Sequence, residues 1–237
     1  MRFDVITTMP NVYDSFKDTG IVGRAFRSEI AQINIWDLRN YATDTFKHID
    51  DVPFGGGSGM IIKPDPIFKA FDEIETVSVE KPHRIFFTPQ GKPLKQATVQ
   101  RLMNYKHIVL LAGRYKGIDE RVREHLIDEE ISIGDYVLSG GDLPAMVLMD
   151  AIIRRLPGAV SDDESTDTDT FPVGLLDAPH YTRPAEYRGF SVPPILVSGH
   201  HKKIEEWKLN KRLSRTKEKR PDLYEEYLIQ LEENKNG

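Results

Sequence analysis

Residue types able to do chemistry concentrate between Gly113 and Arg154. From Gly113 to Ala145 the chain reads GRYKGIDERVREHLIDEEISIGDYVLSGGDLPA, two glycine-bearing turns flanking a short helix. Gly134, Gly140 and Gly141 let a ligand approach bare backbone N–H and C=O groups, so a pocket built there would recognise a base edge with main chain. Glycines after strands are also ordinary turn punctuation, and the pattern alone leaves both readings open. Dinucleotide and NTP sites lose ground, because no GxGxxG follows a strand and GGGSGM at Gly55 to Met60 lacks the Lys-Ser/Thr ending of a phosphate loop. Asp150 and Arg154 have the spacing of a local ion pair on one helical face. His200-His201 has no HExxH-like spacing and no carboxylate partner, so no metal site is expected there. The absence of cysteine removes disulfides, thiolate metal sites and a thiolate nucleophile together.

The elements that must hold these residues alternate along the chain. Arg2 to Thr8 reads as a strand, Pro10 to about Lys17 as a helix, Ala31 to Trp36 as a strand and Pro64 to about Ile74 as a helix. Strand His83 to Thr88, turn Pro89 to Pro93, helix Leu94 to Asn104 and strand His107 to Ala112 continue the series. This order predicts an α/β domain on a mainly parallel sheet, with ligands at the loops that leave the strands. The next helix starts near Asp142, its expected N-cap, and ends before Pro157-Gly158. Met146, Leu148, Met149, Ile152, Ile153 and Leu156 surround it on nearly all sides, which predicts burial against the sheet and a second subunit. The long irregular stretch Asp37 to Met60 carries Asp50, Asp51, Gly55, Gly56, Gly57 and Gly59. It suits a surface that folds over a ligand, and equally a plain flexible lid.

At 237 residues the chain can form one full-sized core and a smaller second domain. Its net charge of −5 averages over two unlike segments. Ser161 to Thr170 (SDDESTDTDT) has five acids and no base, whereas His200 to Arg220 has nine Lys/Arg against three Glu. The first reads as a flexible acidic linker and the second as part of a small, basic, helical domain. The expected division is 1–160, linker 161–173 and helical domain 174–237. MRFDVITTMP lacks the features of a secretion signal, and no apolar run approaches the roughly 20 residues of a membrane span. A cytoplasmic protein without membrane contact is expected.

The strings DDVPFGGGSGM, GRYKGIDER, IGDYVLSGGDLPAM, GLLDAPHYTRP and SGHHKKIEEW occur here in the order of the bacterial tRNA (guanine-N1)-methyltransferases, which the chain resembles over nearly its whole length. That family is of the SPOUT (α/β-knot) class, so the resemblance implies a deep trefoil knot in the first domain. Periodicity does not show one, and threaded chains are rare. It also implies S-adenosyl-L-methionine as cofactor, held by Pro89, Gln90 and Gly91, by Gly113, Arg114 and Tyr115, and by Ser132, Ile133, Gly134, Asp135, Tyr136, Val137, Leu138, Gly140, Gly141 and Pro144. The implied substrate is the guanosine immediately 3′ of the anticodon of tRNA, position 37, contacted through Asp50, Gly55, Gly57, Gly59, Asp177, His180, Tyr181 and His200. A homodimer with active sites shared between subunits is implied as well, and DNA is not an expected partner.

Guanine N1 carries a proton, so its attack on a sulfonium methyl needs a base, and the charge shifted onto O6 needs a donor. By match to the family's motifs, Asp169 is the expected base and Arg154 the O6 donor. The residues alone would leave Asp169 as one more solvated acid. Two positions depart from the family pattern. Lys116 stands where relatives commonly carry an acid, which leaves Mg2+ open as a second cofactor, and Ser58 replaces the usual Pro. The rival readings are a related methyltransferase acting on another RNA position and a catalytically silent RNA-binding protein on the same scaffold.

Overall fold

A computed structural model describes residues 1–160, 171 and 174–236. The chain divides into two compact units, Met1–Asp163 and Glu164–Gly237. In order, the first unit contains β1 (Arg2–Thr7), α1 (Asp14–Asp18), α2 (Gly20–Arg27), β2 (Gln32–Asp37), β3 (Asp50–Asp51), β4 (Ile61–Ile62) and α3 (Pro64–Thr76). There follow β5 (His83–Pro93), α4 (Gln96–Leu102), β6 (His107–Leu111), α5 (Glu120–Leu126), β7 (Glu129–Ser132) and α6 (Asp142–Ile153). Five strands form one sheet in the order β2-β1-β6-β5-β7 with every neighbouring pair parallel, as expected. Such a sheet is covered on both faces, which is why Phe3, Val5, Ile6 and the run Ile108, Val109, Leu110, Leu111 are all buried. One face packs on α2, α4 and α6 through Val22, Ala25, Val99, Leu102, Leu148 and Ile152. The other packs on α3 and α5 through Ile67, Phe71, Ile74 and Val122.

The chain crosses itself at β5 and β7. Ile131 pairs with both Phe87 and Lys92, so β5 flanks β7 on both edges, and Thr88 to Gly91 carries it across. At the crossing a Cβ on Gly91 would lie 2.5 Å from the Ile131 nitrogen, so only glycine lets the two backbones pass this closely. The stretch Pro89 to Pro93, expected as a turn, is therefore the second half of a strand.

Several boundaries also differ from expectation. The helix expected over Pro10 to Lys17 is a 3-10 turn, Pro10–Tyr13, followed by α1, and extended Thr19 separates it from the unanticipated α2. The helix expected from Leu94 begins at Gln96, because the Leu94 N–H is tied to the sheet through Ser132 O at 2.8 Å and Lys95 is extended. The irregular stretch after Asp37 holds a 3-10 turn, Leu38–Tyr41, and the antiparallel pair β3–β4. As expected, α6 packs on the sheet, and in the single chain Leu143 and Val147 are left about half exposed.

In the second unit a hairpin of β8 (Glu186–Tyr187) and β9 (Phe190–Ser191) and a 3-10 turn, Pro194–Val197, precede α7 (His201–Lys219) and α8 (Pro221–Asn236). Fully buried Thr216 on α7 anchors the segment before the hairpin: its hydroxyl accepts from Leu176 N at 2.9 Å and donates to Arg212 O at 2.7 Å. Arg215 donates to Asp177 O at 3.1 Å beside it. Among the described residues no helix is long and apolar enough to cross a membrane.

Candidate active site

Three neighbouring parallel strands and the loops beside them enclose a pocket. Its walls come from the middle of β5, where the strand leaves β6 (Phe86, Phe87, Thr88, Pro89), the turn after β6 (Gly113 to Gly117), the end of β7 (Ile131, Ser132) and the loop into α6 (Ile133, Gly134, Tyr136 to Gly141), with Pro144 from α6 itself. This is the carboxyl edge of a parallel sheet, where α/β proteins bind ligands.

The floor is main chain held by main chain. Gly141 N donates to Gly113 O at 2.8 Å, and Arg114 and Gly140 form an antiparallel bridge. A Cβ on Gly141 would lie 2.9 Å from Ala112 Cα, so any side chain there would separate α6 from β6. On the β7 side, Ser132 Oγ accepts from Gly134 N at 3.2 Å, and Tyr136 OH donates to Ile133 O at 3.2 Å.

Asp142 anchors this floor from behind. The sequence suggested it as the N-cap of α6, but Gly141 occupies the cap position without a side-chain bond and Asp142 is the first helical residue. Its buried Oδ1 instead accepts from Thr7 Oγ1 at 2.5 Å and Tyr13 OH at 3.0 Å. Thr7 in turn accepts from Met9 N at 2.9 Å. Burial, with the Asp142 carboxylate alongside, raises the Tyr13 hydroxyl well above the ordinary tyrosine pKa and keeps it a donor. Thr7 and Tyr13 gave no such signal in the sequence.

Most residues expected at a cofactor site come together here. Pro89, Gly113, Arg114, Tyr115, Ser132, Ile133, Gly134, Tyr136, Val137, Leu138, Gly140, Gly141 and Pro144 line the pocket, whereas Gln90, Gly91 and Asp135 do not. Gly91 is at the strand crossing, and Gln90 Oε1 accepts from Arg123 NH2 at 2.7 Å. Apolar Phe86, Phe87 and Ile131, together with Lys116 and Gly117, line it without having been singled out for it.

The glycine loop joins the pocket's rim. Lys116 N donates to Met60 O at 3.0 Å and Ile62 N to Gly117 O at 3.0 Å, which fastens the loop carrying Gly55, Gly57 and Gly59 to the turn after β6. Asp50 lies at the base of that loop, paired in register with Ile62.

Arg154 caps the carboxyl end of α6, its N–H bonded to Asp150 O at 3.1 Å. Arg154 and Asp150 both line a second cleft with Phe16, Gln96, Met146, Val147 and Ala151. Asp169 and the acidic segment around it lie outside the described residues. In the second unit, Asp177 Oδ2 is 2.7 Å from His180 Nε2. Burial raises the Asp177 pKa, but the His180 contact and the Ala178 N–H outweigh it and hold the carboxyl below its usual range. Tyr181 is half exposed, and exposed His200 precedes α7.

Magnesium does not fit this pocket. None of its lining residues carries a carboxylate, its charged side chains are Arg114 and Lys116, and no group of three or more His, Asp or Glu among the described residues could hold a metal. The pocket's apolar walls, bare backbone groups and the hydroxyls of Ser132 and Ser139 suit a small organic ligand with both apolar and polar parts.

A family model described as "tRNA (Guanine-1)-methyltransferase TrmD" matches residues 1–226. A protein of Hydrogenovibrio crunogenus named tRNA (guanine-N(1)-)-methyltransferase is 46% identical over 236 residues, covering 100% of both chains. Proteins of the same name from Sulfurihydrogenibium sp. and Pseudomonas fluorescens are 48% and 47% identical, covering 98% and 99% of this chain and 91% and 94% of theirs.

Proposed function

From the premise that this chain belongs to the tRNA (guanine-1)-methyltransferase family, we propose how it carries out methyl transfer to N1 of a guanine in tRNA. It is an enzyme, and its first unit has the α/β-knot fold of that class, with the β5–β7 crossing as its local signature. The observation that carries the reading is the glycine-floored pocket between the middle of β5 and the carboxyl ends of β6 and β7, within a match spanning residues 1–226.

The proposed donor is S-adenosyl-L-methionine, which supplies an electrophilic methyl on sulfur. Gly113, Gly140 and Gly141 would hold it through main chain, and Phe86, Phe87 and Ile131 would keep water from its adenosine. The proposed target is the guanosine immediately 3′ of the anticodon. Asp169 would take the N1 proton, leaving the nitrogen lone pair free to accept the methyl group that the donor supplies. Arg154 donates to O6 as charge gathers there. No covalent enzyme intermediate is needed, in keeping with a chain free of cysteine.

The half-exposed apolar side chains of Leu143 and Val147, one turn apart on α6, support a homodimer in which they are covered by a second copy. The second unit, with nine Lys/Arg between His200 and Arg220, would take the tRNA backbone, and residues 161–173 would join the two units as an acidic linker. A cytoplasmic location follows from the substrate. The test is transfer of a tritiated methyl group to unmodified tRNA, followed by nucleoside analysis. N1-methylguanosine at position 37 is expected, and methylation at any other atom or position would refute the assignment.

A further inference from the structure

Among the residues lining the pocket the only charged side chains are Arg114 and Lys116, and neither has a carboxylate partner among the described residues. Several other cations of the first unit, among them Arg2, Arg84, Arg101, Arg121 and Arg123, are each paired with an acid. A net-cationic methyl donor would enter a pocket that already carries two uncompensated positive charges. Like charges in one pocket oppose one another unless an anion joins them, and the other reactant is a polyanion.

The position of Lys116 says which part of that polyanion it meets. Its exposed side chain runs along the glycine loop: a Cβ on Gly59 would be 3.5 Å from Lys116 Cβ, and one on Gly57 would be 3.5 Å from Nζ. The ammonium thus ends on the loop side of the rim, away from the floor formed by Gly113, Gly140 and Gly141. The Lys116 backbone is fixed to Met60 O at 3.0 Å, so the loop and the cation are held together.

We propose that Lys116 is a substrate-binding residue whose ammonium holds a backbone phosphate of the tRNA at the seam between donor pocket and glycine loop. The inference rests on the methyltransferase reading above. A lysine does this as a compact point charge with three donors.

The test uses the full-length protein, an anticodon stem-loop folded beforehand, and the variants Lys116→Gln and Lys116→Arg. Lys116→Gln should lower the slope of log K for RNA against log salt by about 0.7 to 0.9, the loss of one phosphate contact, with donor affinity unchanged by calorimetry. Lys116→Arg should restore the slope. An unchanged slope in Lys116→Gln would overturn the proposal. So would weakened donor binding with the slope intact, since the lysine's partner would then be the donor's carboxylate. Wild-type transfer measured in the same samples separates the two levels: active wild type with an unchanged slope sinks only this inference, while wild type inert toward tRNA sinks the reading beneath it.

Discussion

The two ends of the parallel sheet solve opposite problems. At the carboxyl end the strands open into a pocket made largely of backbone, with Arg114 and Lys116 left without acidic partners among the described residues. At the amino end, polar groups are spent on each other. Asp4, fully buried in β1, receives His107 Nε2 from β6 at 2.6 Å, Asn34 Nδ2 from β2 at 2.6 Å and Arg2 at 2.7 Å. Because an ionised carboxylate only accepts, Nε2 of His107 carries the hydrogen. Asp4 is also the register partner of both Asn34 and Val109, so one carboxylate aligns three strands. The contrast separates binding capacity, where charge is kept available, from specification of the fold, where it is neutralised in place.

That separation is sharpest if changes at one end cost turnover and changes at the other cost stability. The largest expected loss is in Asp169→Asn, about 10²- to 10⁴-fold in single-turnover methyl transfer with donor binding intact, as for removal of a general base. The rate limb that rises with pH in wild type should flatten or move in this variant. Arg154→Gln should cost about 10²- to 10³-fold, with melting temperature measured alongside because Arg154 ends α6. Since both groups serve one transition state, the double variant should lose less than the product of the single losses. A full rate in Asp169→Asn at saturating tRNA would return the acidic segment to being only a linker.

Gly141→Val should come next. Forcing a side chain toward Ala112 Cα, 2.9 Å from where its Cβ would stand, overpacks the floor at about 1–3 kcal/mol and weakens donor binding by roughly tenfold or more. Calorimetry reads this directly, and unchanged affinity would remove Gly141 from the donor site.

The pocket end was largely legible in the sequence, and the amino end was not. Gly113, Gly140 and Gly141 follow apolar runs, and glycine at such places signals a turn or a close approach, so their neighbourhood could be marked in advance. Gly91 carries the same signal and was read as turn punctuation. Its reason is a crossing with Ile131, forty residues on in the chain, which no local periodicity encodes. Asp142 looked like a cap because it opens an apolar helix, while its partners Thr7 and Tyr13 lie at the other end of the unit's sequence. α2 escaped because its Val22 and Ala25 follow the break at Thr19 closely. In RFDVIT, alternation makes Asp4 a solvent-facing polar residue. In a parallel sheet covered on both sides, that face is also interior.

The smallest expected effect on turnover, and the one that tests the other end, belongs to Asp4→Asn. Its methyl transfer at neutral pH should stay within about twofold of wild type, while loss of hydrogen bonds to a buried charge should cost about 1.5–3 kcal/mol of stability. The pH dependence then identifies the carboxylate as the cause. Burial raises the Asp4 pKa, but His107, Asn34 and Arg2 outweigh it and leave the folded value below the ordinary one. A carboxyl depressed on folding contributes its full stability above the unfolded value, about 3.9, and loses it as pH falls through the folded value. The gap in melting temperature between wild type and Asp4→Asn should therefore be constant from about pH 5 to 8 and close as the solution is acidified below about pH 4. A gap that persists at low pH would mean that the substitution disturbs packing instead of removing a charge. If Asp4→Asn lost turnover before it lost stability, the two ends of the sheet would be coupled and the division of labour between them would fail.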